Sequence, residues 1–219
     1  MPYPQSDFPP PAGRWLLWPM LLLCLGLALA GPAAAAGEPP RVVASIKPLH
    51  ALLAGLMEGL AKPALLVSDD RLPWDYRPGA GVPGMLRAAD IVVWSGAELE
   101  PALAAPVAGL DPGTRVYEVL ASDALKILPA RYHADEADPM FWLDSRNMLI
   151  LLDQFADMLA ERDPARSLVY RRNQQAMAET LTAIDRTMEF RYRDVSGVPI
   201  FFYHDTQQYF EQAYAMRVA

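Results

Sequence analysis

From Arg41 to about Glu118 the chain alternates short runs of consecutive apolar residues with longer segments whose apolar positions recur at helical spacing. The runs are Val42-Val43-Ala44-Ser45-Ile46, Ala64-Leu65-Leu66-Val67, Ile91-Val92-Val93-Trp94 and Arg115-Val116-Tyr117-Glu118-Val119. A strand with one wet face alternates apolar and polar side chains. A run apolar at nearly every position suits a strand covered on both faces, as in a parallel sheet flanked by helices. Leu49, Leu52, Leu53, Leu56 and Leu60 fall on one helical face between the first two runs and supply the first crossover. Right-handed crossovers then place the loops that follow the strands along one edge of the sheet.

At Asp144 the period changes. Met148, Leu151, Leu152, Phe155, Met158 and Leu159 follow helical spacing behind an Asp144-Ser145 cap. A second helix opens at Asp163-Pro164, a capping residue followed by proline at the first helical position, and runs to about Arg193. Its apolar stripe is Met177, Leu181, Ile184 and Met188. A helix of about thirty residues is a rod of roughly 45 Å, longer than one lobe. Ile200 to Tyr203 reads as a further strand and Gln207 to Glu211 as a further helix, after which the sequence ends. The expected fold is therefore α/β: a parallel-sheet N-terminal lobe over 37–143, a helical connector with one long helix over 144–197, and the first β-α unit of an incomplete C-terminal lobe over 198–219.

Residues 1–36 add a location. Arg14 precedes an apolar stretch from Trp15 to Ala30, then Gly31-Pro32 and four alanines, which reads as a secretory signal peptide cleaved after Ala36. The competing reading is a retained membrane anchor. Cys24 follows Leu23, not the small residue that precedes a lipid-attached cysteine. Cleavage removes Arg14 and Asp7, so the net charge stays at −7, a balance that argues against nucleic-acid binding. The mature part has no cysteine, and any metal must be held by His, carboxylate or Met. Nothing resembles a nucleophile–base pair, paired catalytic carboxylates or a phosphate loop, so the chain does not read as an enzyme.

The chemistry is concentrated at His204. It ends the apolar run Ile200-Phe201-Phe202-Tyr203, and ligands of open α/β folds bind outside the carboxyl ends of strands. His50 at the start of the first helix suits a cap or surface role, and His133 lies in a short acidic loop.

The order of several spaced segments is similar to that of the zinc- and manganese-binding periplasmic proteins of ABC metal importers. These are Ser45-Ile46-Lys47-Pro48-Leu49, Asp75-Tyr76, the stretch from Ala89 to Glu100, Phe141-Trp142-Leu143-Asp144, and Phe202-Tyr203-His204-Asp205 with Tyr209-Phe210. The resemblance implies two α/β lobes joined by one long helix, with metal in the cleft between them and delivery to an ABC permease in the inner membrane. It also implies three histidine ligands on three loops that converge there. Two of those positions are Trp74 and Met140 here, and only His204 keeps the imidazole. Trp has no lone pair for a metal, and a thioether suits Cu(I) better than Zn²⁺ or Mn²⁺. Asp205 and His50 are candidate supplementary donors, with Asp75, Glu98 and Glu100 as further carboxylates, and caps or solvated loop charges are the competing role for each carboxylate.

These features lead to the expectation of a monomeric periplasmic substrate-binding component of a zinc-type ABC transporter with a degenerate metal site. Zinc is the expected ion, ahead of manganese or copper. The alternative is a paralogue that binds no metal and keeps the fold for docking to a permease or metal-loading partner.

Overall fold

The computed structural model describes residues 37–68, 72–195 and 197–218. The leader expected at residues 1–36 lies outside them. Among the described residues no helix is long and apolar enough to cross a membrane.

The four apolar runs form one parallel sheet. Its elements in chain order are β1 (Val42–Ala44), α1 (Lys47–Leu56), β2 (Ala64–Leu65), α2 (Val82–Arg87), β3 (Ile91–Trp94), α3 (Pro101–Ala108) and β4 (Arg115–Glu118). The strand order is β2-β1-β3-β4, so the chain winds outward from β1 to one edge and returns to build the other. Val42, Val43 and Ala44 stand in register with Ile91, Val92 and Val93, and all six are buried. Helix α1 is shorter than its leucine spacing suggests. It closes at Leu56, and the chain turns through Gly59 at φ 79°, a left-handed value that favours glycine.

Two long helices follow, α4 (Ser145–Arg162) and α5 (Ser167–Tyr192). The Asp144 side chain accepts from the Arg146 amide at 2.9 Å, the cap that the sequence offered. Leu151, Leu152, Phe155, Ala156, Met158 and Leu159 are buried, and Phe155 meets the Tyr117 ring of β4 edge-on at 5.3 Å. Ahead of α5 a 3-10 turn spans Pro164–Arg166. Asp163 does not cap the helix through its side chain, and its Oδ2 accepts from Arg166 and Tyr170 at 2.9 Å. At 26 residues α5 is about 39 Å long. Tyr170, Met177 and Leu181 pack on the core, whereas Ile184 and Phe190 near the far end are exposed.

The end of the chain differs from the sequence expectation in two ways. The apolar run after Pro199 pairs only at β5 (Pro199–Ile200), leaving Phe201 to Tyr203 outside the strand. Beyond α6 (Gln208–Ala213) the chain adds a second strand, β6 (Arg217–Val218), parallel to β5. The terminal unit is thus β-α-β. Arg217-Val218 is too short to have shown a strand period in the sequence.

Side chains fasten this unit to the 126–138 loop. The Tyr209 hydroxyl, fully buried, accepts from the Leu128 amide at 2.9 Å and donates to the Asp138 carbonyl at 3.0 Å. Lys126 Nζ donates to Gln212 at 2.8 Å, and Gln208 Nε2 donates to the Pro129 carbonyl at 3.0 Å. Burial pushes the Tyr209 phenol up to about 12, so it stays protonated and can keep donating through the neutral range. Tyr209→Phe leaves a buried amide and carbonyl short of a partner and is expected to cost about 1–3 kcal/mol in urea unfolding. An unchanged midpoint would mean the loop is held by other contacts.

Candidate metal centre

His204 lies four residues past the end of β5, in a bend, and its side chain is exposed. It lines a cavity of about 420 Å³ with Arg131, Tyr132, Phe202, Asp205 and Glu211. Its ring packs edge-on against the Tyr203 ring at 4.7 Å. Neither Trp74 nor Met140 lines this cavity.

Trp74 sits in a 3-10 turn, Pro73–Asp75, with 39% of its surface exposed, so its indole is a surface group. Met140 is the opposite case. It immediately precedes the 3-10 turn Phe141–Leu143 and is buried in the hydrophobic core, its amide donating to Asp138 at 2.9 Å. A thioether sealed among core side chains is packing. His50 Nε2 lies 3.1 Å from the Pro63 carbonyl, which fixes the ring as a donor across the exit of α1. His133 is an exposed residue of the acidic loop.

Asp205, next to His204, is already engaged. Arg131 Nε donates to its Oδ1 at 2.8 Å, and Arg131 Nη2 reaches Glu211 Oε2 at 2.5 Å. One guanidinium thus spans two carboxylates, of which Glu211 is nearly buried. Burial raises the Asp138 carboxyl and the charges of Asp205 and Glu211 add to this, while its hydrogen bond from the Met140 amide and the charge of Arg131 oppose it. Zinc requires about four donors converging on one point. Among the described residues no group of three His, Cys, Asp or Glu is placed to hold a metal ion.

Two features of this part of the molecule carried no motif in the sequence. The first is the Arg131 clasp, whose partners are 74 and 80 residues away. The second is Glu100, just before α3, which sends its carboxyl back beneath the sheet edge. Ser45 Oγ donates to its Oε2 at 2.7 Å and the Ser95 amide to the same oxygen at 2.8 Å. The available signal was a serine directly after each of two neighbouring apolar strands, Ser45 and Ser95. Glu100 is therefore committed to the sheet and is not a donor for the cleft. Glu98 and Glu118 instead come together around Gly96, and Glu118 is raised by desolvation and then by the charge of Glu98.

This α/β fold, with its parallel sheet and long helix, superposes on metal-binding periplasmic proteins of known structure. TroA of Treponema pallidum, a periplasmic zinc-binding protein, superposes with a TM-score of 0.74 at 21% identity, covering 84% of this chain and 66% of that one. Zn(II)-bound AdcA of Streptococcus pneumoniae superposes with a TM-score of 0.73 at 20% identity, over 83% of this chain and 39% of its own. In sequence, the high-affinity zinc uptake system protein ZnuA of Brucella abortus is 27% identical over 227 residues, covering 84% of this chain and 67% of the relative. The chain thus spans about two thirds of the length of these curated relatives and less of AdcA. Residues 42–219 match the family described as ZnuA, zinc-uptake complex component A, periplasmic. The chain belongs to that family, a family of transport binding proteins and not of enzymes.

Arg131→Ala strips the cation from a nearly buried Glu211. It is expected to lower stability by about 1–3 kcal/mol, since one partner of the clasp is part-exposed. Adding Glu211→Gln should recover part of that loss in a double-mutant cycle. Simple additivity of the two substitutions would show that the clasp contributes no coupling.

Proposed function

We propose that this chain is the periplasmic substrate-binding component of a zinc-type metal-ion ABC importer, with a metal site reduced to one imidazole, His204. The observation that carries the reading is His204 itself. In a chain of the zinc-uptake family it keeps the donor type of that position and faces an open cavity. Zinc is the cargo, and an ABC permease in the inner membrane is the partner to which a monomeric, signal-directed protein delivers it. Manganese accepts the same oxygen and nitrogen donors. Copper fits less well, because Met140 is buried and does not line the His204 cavity.

A site with one free imidazole and carboxylates already paired binds more weakly than a site with three imidazoles, because affinity rises with the number of deprotonated ligands. The Arg131 clasp also favours a second reading, a paralogue that binds no metal and docks to a permease or loading partner, because metal binding through Asp205 has to compete with an internal cation. Calorimetric zinc titration of the mature protein separates the two. The first reading predicts one site that weakens roughly tenfold or more in His204→Ala, since losing a ligand costs at least as much as losing a group that orients one. A site indifferent to His204→Ala contradicts it, and absence of zinc uptake selects the second reading.

A further inference from the structure

Arg131 is the one lysine or arginine among the described residues that line the His204 cavity, and it faces two carboxylates there. Its Nε donates to Asp205 Oδ1 at 2.8 Å and its Nη2 to Glu211 Oε2 at 2.5 Å, so nitrogens of one planar group reach two different side chains. Both bonds are charge-assisted, the stronger kind. Asp138, raised first by burial, is raised further by the charges of Asp205 and Glu211 and lowered by that of Arg131. Three carboxylates therefore share one guanidinium. The local charge draws a cation in, yet the carboxylate beside His204 is already taken.

The geometry decides what a divalent ion at His204 meets. Asp205 follows the imidazole directly in the chain, and Arg131 holds one of its two oxygens. An ion that takes Oδ1 has to displace the guanidinium, whereas an ion that takes only Oδ2 sits beside a fixed positive charge. Either route lowers affinity. A change of pH gives no relief, because arginine stays charged and its hydrogen bond to Glu211 raises it further. Nor is Arg131 free to swing away. The Glu211 side chain is only 9% exposed, and losing its cation leaves a nearly buried charge uncompensated.

We propose that Arg131 sets the metal affinity of this cavity: it withholds Asp205 from the donor set, and Glu211 is the anchor that keeps it in place. A divalent cation then binds through His204 only as tightly as it can win Asp205 from the guanidinium. This rests on the reading of His204 as the position that receives the cargo. Arg131 is a positioning residue, since it acts through Asp205 and touches no ion. The clasp is also the charged attachment of the terminal unit to the 126–138 loop, so an ion that takes Asp205 leaves that attachment to Glu211 alone. Cation binding and the clasp oppose each other, and the opposition is reciprocal.

Calorimetric zinc titration of the mature protein and its variants is the test. Arg131→Gln is expected to bind zinc roughly tenfold or more tightly than the wild type, the scale on which the partner of a metal ligand acts. Removing the same charge at Arg115, an exposed residue at the start of β4, should leave the affinity as it was. The double variant Arg131→Gln with Glu211→Gln is the stricter form. It loses one cation and one anion, so the net charge stays at −7, no buried carboxylate is stranded, and Asp205 is still freed. It should show the same gain, and it carries the test where Arg131→Gln alone does not fold. Asp205→Asn in either background should cancel the gain.

Nitrogen-15 NMR of the Arg131 Nε–H, assigned by its absence from Arg131→Gln, supplies a readout that a purely structural clasp does not move. Zinc should shift this resonance in the wild type and leave it in place in His204→Ala. Affinity that is absent, unchanged or weaker in both Arg131 variants, or a gain that survives Asp205→Asn, would overturn the proposal. His204→Ala keeps the two readings apart. Zinc binding indifferent to it removes His204 as the cargo position, whereas dependence on His204 with no response to Arg131 removes only the role assigned to Arg131.

Discussion

The pairing of β1 with β3 is the constraint on which the molecule depends. Six buried aliphatic side chains, Val42 to Ala44 against Ile91 to Val93, form the centre of a sheet that has to be covered on both faces. That requirement explains why helices α1 and α4 pack together, with α5 laid across them, while α2 and α3 meet separately. It also sets the sheet edge from which the functional loops leave. At that edge Glu100 joins the exits of β1 and β3 through one carboxyl oxygen, which accepts from Ser45 and from the Ser95 amide.

The terminal β-α-β unit follows a different principle. Its strands are two residues each, too short to build a core, and it is held by polar contacts to the 126–138 loop and by Phe210 and Tyr214, which pack on Tyr192 of α5. Tyr209 provides the buried part of that attachment and Arg131 the charged part. The same Arg131 neutralises Asp205 beside His204. Attachment of the unit and the chemistry of the cleft therefore share a residue. A cation arriving at His204 meets a carboxylate that already has a positive partner.

Much of the fold was legible because it rests on local pattern. The continuous apolar runs gave the parallel sheet and the helical spacing gave the two long helices; the Asp144 cap is present, whereas the start expected at Asp163-Pro164 is a 3-10 turn and the helix begins at Ser167. Strand β6 escaped because two residues carry no period, and α1 ended early because a turn outweighed a run of leucines. The site was legible only as residue types. His204 could be singled out from its position after an apolar run, and the burial of Met140 and the exposure of Trp74 could not, since both depend on packing between distant segments. The Arg131 clasp and the Ser45–Glu100 bond join residues far apart in sequence, where no spacing rule applies.

Family membership and site chemistry carry different weight in this protein. The chain shares the fold and family of zinc-binding relatives, and among its described residues no group of three His, Cys, Asp or Glu is placed to hold a metal ion. X-ray absorption at the zinc edge of the zinc-loaded protein tests this most directly, because it counts and identifies donor atoms. The account predicts a first shell of light nitrogen and oxygen atoms with a single imidazole and no sulfur. Two or more imidazoles, or a thioether from Met140, would contradict it.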